Sequence, residues 1–393
     1  MSEKTLKPSI RFKGFTEDWE QCKVTELGKV FIGLVTTMTK HYTDSGYLLI
    51  RNSDIKDNHF DFDENPIYLE KSFGESNSSR MHQIGDVITV HTGDVGTSAV
   101  ISEKEAKSIG FATIVTRPKL EIVNPNYLSC FFNTEKHKLW AIGISTGDGR
   151  TNYNLGDFVK LTVPVPQIEE QKKISELIIN LNNLITLHQR KYDKLLNIKK
   201  SLLEKMFPQN GELIPQIRFK GFTEDWEQCK WINTVDISTN MVDPRSGEYD
   251  ELPHIAPGNI ESFTGQLYDN VKLVKEENLI SGKFHFYKDD IIYGKINPQL
   301  GKYIFSKIEG LTSADAYVLN AKNDLKQEFL FSIIQTVNFY EYTVSVSKRS
   351  GMPKINRNEL NYYNFFMPVS EEQIKIGRLF LKIDNLITLH QRK

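Results

Sequence analysis

The chain is poor in the features that announce the simplest classes of protein. Its 393 residues hold three cysteines, Cys22, Cys130 and Cys229, none at metal-ligand spacing. A disulfide framework needs more cysteines and a zinc site needs them in close pairs, so reduced thiols in a cytoplasmic protein are expected. No run of about 18 apolar residues occurs, which argues against a membrane-spanning helix. The opening MSEKTLKPSI lacks the apolar core of a secretory signal. The net charge of −1 supplies no overall basic field, so any contact with nucleic acid has to rest on local patches. No Ser/His/Asp set and no paired carboxylates stand out. What is present is ordinary for a globular protein, 39% hydrophobic and 25% charged, enough to bury real cores.

The informative feature is duplication. IRFKGFTEDWEQCK occurs at Ile10–Lys23 and again, letter for letter, at Ile217–Lys230, 207 positions later. NLITLHQRK occurs at Asn183–Lys191 and again at Asn385–Lys393, 202 positions later. A period of this size is too long for a solenoid and fits two domain-sized units in tandem. Between the repeated phrases the halves differ widely. A constant frame with different inserts implies one assembly task performed twice and two different recognition tasks.

Each half ends in a long helical pattern. After Pro164 and Pro166, Glu169 and Glu170 occupy a first helical turn, where carboxylates suit the helix dipole. Apolar residues then recur in steps of three and four from Ile174 through Leu184, His188, Tyr192 and Leu202 to Met206, and Phe207-Pro208 with Asn210-Gly211 stops them. About 40 residues at about 1.5 Å each make a rod of roughly 60 Å, which wants a partner helix. The second half supplies a copy. Ser370 with Gln373 forms a capping-box pattern, and Ile376, Leu379, Phe380, Ile383, Leu386, Ile387 and His390 repeat the stripe. The copies are expected to pack antiparallel about a pseudo-twofold axis. The counterpart of Tyr192–Met206 is missing after Lys393, so this helix is either naturally short or clipped, the stripe at Leu195, Leu202 and Met206 is expected to be exposed, and residues 192–206 are expected to self-associate or to be disordered.

The inserts read as α/β globules. GYLLIRNSDI (46–55) and LPHIAPGNI (252–260) are strands ending in polar residues. DVITVHTGDVGTSAVI (86–101) is a hairpin turning at Gly93-Asp94, and DDIIYGKINPQLGKYIF (289–305) one turning near Asn297-Pro298. Just before the long helices lie STGDGRTNYN (145–154) and SKRSGMPKINRN (347–358), where Gly149 aligns with Gly351 and Asn154 with Asn356. Both loops are rich in glycine, cations and amides.

The duplicated RFKGFTEDWEQCK, the VPVPQIEEQKKI and MPVSEEQIKI starts of the two helices, and the GDVITVHTGDVGT and DDIIYGKINPQLGK hairpins resemble those of the specificity subunit of a type I restriction–modification system. The resemblance covers nearly the whole chain and departs from the family in the short second helix. It implies an α+β fold with two target recognition domains (1–166 and 209–369) held apart by two long antiparallel helices (167–208 and 370–393). It further implies a non-catalytic subunit, each domain reading one half of a bipartite, asymmetric site in double-stranded DNA. Two methyltransferase subunits and the restriction/translocase subunits would assemble on it, with S-adenosylmethionine, ATP and Mg on those partners and no cofactor in this chain.

Arg, Lys, Asn and Gln are the side chains suited to base edges, and basic or amide-rich loops suit phosphate. The candidate DNA contacts are therefore Arg51, Asn52, Arg80, His91, Arg150, Asn152 and Tyr153 in the first half, and Asn259, Lys295, Asn297, Gln299, Lys348, Arg349, Lys354 and Arg357 in the second. Phe15, Trp19, Phe222 and Trp226 are either anchors for a partner protein or core residues of each globule. Other motifs are set aside. Asn124-Pro125-Asn126-Tyr127 is a turn into a helix rather than a methyltransferase motif. Thr92-Gly93-Asp94-Val95-Gly96 lacks the Gly-Lys-Ser/Thr ending of a phosphate cradle. His188 and His390 lie on the helix stripe and read as packed residues. A duplicated enzyme would repeat one catalytic set in both halves, which this chain does not. A duplicated protein–protein adaptor without DNA readout remains the alternative. Because the frame repeats and the inserts do not, replacing roughly residues 24 to 150 with the insert of a relative is expected to change one half-site only, as read by methylome sequencing; a change in both halves, or in neither, would sink the idea of independent readers.

Overall fold

The duplicated phrase folds the same way twice. In the computed structural model, which describes residues 7–62, 64, 66–145, 151–209, 211–348 and 351–391, Glu20–Lys23 forms strand β1. The chain divides into two units, Met1–Ile185 and Thr186–Lys393.

In the first unit, Gly28–Ile32 is β2, Tyr47–Ile50 is β3, Val87–Thr89 is β4, Ser98–Val100 is β5, Ile114–Pro118 is β6 and Thr162–Val165 is β7. Four of these make an antiparallel sheet in the order β2-β6-β4-β5. β3 belongs to a second small sheet, where it runs parallel to Ile109–Gly110. Helix α1 (Pro125–Phe132) covers the main sheet, and α2 (Glu135–Ile144) follows it. Asn124 caps α1 by accepting from the Tyr127 amide at 3.1 Å, so Asn-Pro-Asn-Tyr is indeed a turn into a helix. Helix α3 then runs Ile168–Lys205, and the division between the units falls within it.

The second unit repeats this plan with other residues. Its strands are β8 (Glu227–Lys230), β9 (Val235–Ile237), β10 (Pro253–Ile255), β11 (Ile291–Gly294), β12 (Tyr303–Phe305), β13 (Ala316–Ala321) and β14 (Asn364–Met367). The main sheet has the order β9-β13-β11-β12, the topology of its counterpart. α4 (Gln327–Ile333), α5 (Val337–Ser347) and α6 (Ser370–Gln391) complete it.

The shared residues join each globule to the start of its long helix. β1 pairs with β7, Cys22 opposite Val163, and β8 pairs with β14, Cys229 opposite Phe365. Arg11 grips Glu170 with two hydrogen bonds of 2.7 and 2.8 Å, and Arg218 grips Glu372 at 2.9 and 2.8 Å. Both carboxylates are fully buried. The next residue does equal service. Gln171 donates to the carbonyls of Pro166 and Ile122 and accepts from the Asn124 amide; Gln373 donates to Pro368 and Asp324 and accepts from Lys326. A lysine then covers a phenylalanine in each, Lys173 over Phe15 at 5.0 Å and Lys375 over Phe222 at 4.7 Å.

Within the second unit, the later half of α3 packs against α6. His188 meets its own repeat copy His390, Nδ1 to Nδ1 at 2.9 Å, and Lys199 pairs with Asp384 at 2.6 Å. Partners advance on one helix while they retreat on the other, so the packing is antiparallel, as expected. The expectation of an exposed stripe at 192–206 is corrected. Met206 and Phe207 lie in the core of the second unit, with Leu202 and Leu203 packed against it. Of the two readings of Trp226, partner anchor or core residue, the structure gives the core, at 2% exposure against Phe207 and Phe329.

A buried ion pair that loses one member leaves a charge without compensation, at about 3–5 kcal/mol. Arg218→Leu is expected to destabilise the second unit by about that amount in urea titration, and Arg218→Leu/Glu372→Leu to recover most of it. If the single and double variants are equally damaged, the pair is not what holds this junction.

Burial pushes His82 and His137 down to about 4. Unfolded histidine titrates near 6.5, so the unfolded chain binds more protons between these values. Stability of the first unit is full above about 6.5 and falls with acidification toward 4, by about 1.4 kcal/mol per pH unit for each histidine. His137→Gln is expected to flatten that slope in unfolding titrations; an unchanged slope would contradict the assignment.

Candidate nucleic-acid interface

In each unit the hairpin turn and the loop before the long helix are sewn together by main chain. In the first, the Tyr153 amide donates to the His91 carbonyl at 2.8 Å, Gly93 donates to Thr151 at 3.5 Å, and Thr92 bridges Asn152. In the second, Ile355 donates to Lys295 at 3.0 Å, Asn297 donates to Pro353 at 2.8 Å, and Ile296 bridges Lys354. The register is the same. Residues 91, 92 and 93 correspond to 295, 296 and 297, and 151, 152 and 153 to 353, 354 and 355. The turn needs a left-handed residue at the third position. Gly93 supplies it at φ 101° and Asn297 at φ 51°, the two residue types that tolerate it best.

Beneath each seam sits a buried plug, Tyr153 in one unit and Ile355 in the other, both fully buried. Tyr153 is therefore corrected from a DNA contact to a core residue. Its ring packs on Phe158 and Trp140, and its hydroxyl lies 3.2 Å from His137 Nε2.

The surface side chains on the seam differ in kind. The first unit presents His91, Thr92 and Asn152. Thr92 donates to Asn152 Oδ1 at 2.9 Å and lies 2.8 Å from His91 Nδ1. Burial lowers the His91 pKa, which leaves the imidazole neutral at pH 7. Asn52 joins the cluster, accepting from the His91 amide at 2.9 Å. Arg51, by contrast, is paired with Asp54 at 2.7 Å, and Arg80 donates to the Ile32 carbonyl at 2.7 Å, so both guanidinium groups serve local structure.

The second unit presents cations. Lys295 lies over the Tyr317 ring at 5.4 Å, and its pKa is lowered by burial and then by the neighbouring Lys354 and Arg357. Lys354 is exposed, as is Lys348 at the end of α5. Arg357 is corrected from a free base-reading group, because it donates to the Ile237 carbonyl at 2.7 Å and to Ser238 at 3.2 Å, clamping the end of β9. Gln299 Nε2 reaches Asn297 Oδ1 at 3.4 Å, which keeps both on the turn. Asn259 closes its own turn by accepting from Ala256 and donating to Asn270. Arg150 and Arg349 lie outside the described residues.

Thr92 and Ile296 stand on this surface and were missed by sequence reasoning. The signal that identifies them is the matched position of Gly93 and Asn297, which sets the two hairpins in register one residue either side. Among the described residues no group of three or more His, Cys, Asp or Glu is placed to hold a metal ion, and no helix is long and apolar enough to cross a membrane.

Comparison with known proteins agrees with this duplicated plan. The family model described as the type I restriction modification DNA specificity domain matches residues 16–197 and again residues 232–393. The EcoDI specificity subunit of Escherichia coli is 28% identical over 248 residues, covering 57% of this chain and 55% of that protein, so the chain spans about half the length of this relative. The StySPI specificity subunit of Salmonella potsdam is 22% identical, covering 92% of this chain and 81% of the relative. Among solved structures, the type I restriction–modification S subunit of M. genitalium shares the fold, at a TM-score of 0.57 and 12% identity over 97% of this chain and 92% of that one. Matched over most of its length and in two copies, the chain belongs to the family of the type I restriction modification DNA specificity domain.

Proposed function

We propose that this chain is the DNA sequence-specificity subunit of a type I restriction–modification enzyme, and that each unit reads one half of a bipartite, asymmetric site in double-stranded DNA. The observation that carries this is the pair of seams, one backbone register used twice with different side chains on it. A receptor for one ligand would repeat the side chains. A pair of readers for different sequences keeps the frame and varies what the frame holds. Residues 1–166 and 209–369 are the readers, and 167–208 with 370–393 are the spacer that fixes the gap between half-sites.

The chemistry expected of the two readers differs. His91, Thr92, Asn52 and Asn152 offer neutral donors and acceptors, suited to base edges by hydrogen bonding. Lys295, Lys348 and Lys354 offer charge, suited to phosphate as well as to guanine. The chain acts without catalysis of its own, in the cytoplasm. Two methyltransferase subunits and the restriction/translocase subunits bring S-adenosylmethionine, ATP and Mg to the complex.

The experiment is a salt titration of DNA binding by the assembled methyltransferase. Lys348→Ala/Lys354→Ala is expected to weaken binding to every sequence and to lower the salt slope by about 2, one for each lost phosphate contact. Asn152→Ala is expected to leave the slope alone and alter the methylated half-site. An unchanged slope in the double variant would return this surface to a solvated basic loop.

A further inference from the structure

One residue of the repeated NLITLHQRK meets its own copy. His188 of α3 and His390 of α6 turn their rings toward each other, Nδ1 to Nδ1 at 2.9 Å, with centroids 5.1 Å apart and planes tilted by 49°. Both belong to the second unit. His188 is exposed and His390 half-buried, so the pair opens to water rather than into the core. Neither ring makes another hydrogen bond among the described residues.

Two neutral imidazoles at this distance share one proton, one Nδ1 donating and the other accepting. The same separation suits a metal ion. Imidazole nitrogens lie about 2.0–2.1 Å from a bound metal, so two on one ion are about 2.9 Å apart at a right angle and about 3.4 Å apart at the tetrahedral angle. The observed 2.9 Å is the right-angle span. Right angles belong to the square-planar and tetragonal sites of Cu²⁺ and Ni²⁺, and imidazole is a suitable ligand for both. The two nitrogens are also held in place before any ion arrives. Ile383 and Ile387 are buried, and Lys199 pairs with Asp384 at 2.6 Å, which seats α6 on α3. Ligands ordered in advance cost little to order on binding.

The surroundings select the kind of ion. The acids nearest in sequence on the two helices, Asp193 and Asp384, are engaged by Gln189 at 3.2 Å and by Lys199. Arg190 and Lys191 follow His188. A pair of nitrogens with cations beside it and no carboxylate to spare offers nothing to Mg²⁺ or Ca²⁺, which take oxygen ligands.

We propose that His188 and His390 form a two-histidine site for a divalent transition metal ion of the Cu²⁺ or Ni²⁺ class, with water completing the coordination. On binding, the shared proton moves from Nδ1 to Nε2 of the same ring. Both Nδ1 lone pairs then reach the metal, and the ligands stay neutral. The ion clips α6 to α3 by two coordinate bonds where the packing is open to water. The inference does not depend on DNA reading.

The test is titration of the untagged, metal-free full chain with Cu²⁺, read by electron paramagnetic resonance, and with Ni²⁺, read by calorimetry. One tight site per chain is expected, with two nitrogen ligands in the Cu²⁺ spectrum and a higher unfolding temperature with either ion. Mg²⁺ and Ca²⁺ are expected to produce neither binding nor stabilisation. Removing a group behind a metal ligand costs about 10–100-fold in affinity, so His188→Ala and His390→Ala, which remove a ligand itself, are each expected to cost at least about 10-fold. Circular dichroism of the metal-free variants separates a lost ligand from a lost fold, and the wild-type spectrum reports the ligands whether or not a variant folds. His41→Ala/His59→Ala, in the first unit, is expected to leave the site unchanged. No binding, a spectrum with fewer than two nitrogens, binding that survives either helix substitution, or binding lost in the His41→Ala/His59→Ala variant would each overturn the proposal and leave an ordinary hydrogen-bonded pair.

Discussion

Two carboxylates with no access to water set the terms for the rest of the structure. Glu170 and Glu372 stand in the first turns of the two long helices, fully buried, each held by a two-pronged arginine. An ionised carboxylate can occupy such a place only if it is paired and hydrogen-bonded. Arg11 and Arg218 satisfy that need from more than 150 residues away in sequence, with separations of 159 and 154. The duplicated phrase therefore has to return to the helix start, and when it does, β1 meets β7 and β8 meets β14. The adjacent Gln171 and Gln373 fasten the start of α1 and α4 to the same point. Sheet, covering helix and long helix are thus referred to one junction in each unit.

Around that constant junction the two main sheets keep one strand order, while the secondary sheets differ, with four strands in the first unit and five in the second. Each secondary sheet contains one parallel pair, β3 with Ile109–Gly110 and β10 with Gly310–Thr312. The substitutions are consequential where they occur. Tyr153 becomes Ile355 beneath the seam, and Tyr127 becomes Phe329 beside the tryptophan of the duplicated phrase. On the seam itself a neutral imidazole and an amide are replaced by two lysines. The result is one architecture with two surface chemistries.

Much of this was legible in the sequence because duplication separates what is kept from what varies. The strands at 87–89 and 98–100, and at 291–294 and 303–305, fall where the hairpins were expected, and α3 and α6 begin at the Pro-rich starts. What the sequence did not reveal has a common cause. Whether Trp226 is an anchor or core depends on Phe207, a residue on a distant helix end, and helical periodicity says nothing of what lies opposite. Arg357 looks available in a basic loop and Arg51 at a polar strand end, yet Arg357 is spent on a carbonyl brought near by tertiary folding and Arg51 on a carboxylate three residues away. Tyr153 in a polar loop looks like a DNA contact, but the loop turns it inward as a plug.

The seam between hairpin and loop is made of amide-to-carbonyl bonds, which do not depend on the side chain at any of its positions except the left-handed one. Replacing His91, Thr92 or Asn152 removes no backbone bond, and the plug below holds the loop in place while its outward residues change. The outward side chains of the seam can therefore change one at a time, each intermediate still folded. Such a seam lets a lineage of these chains vary one surface without passing through a state that its proteases would remove.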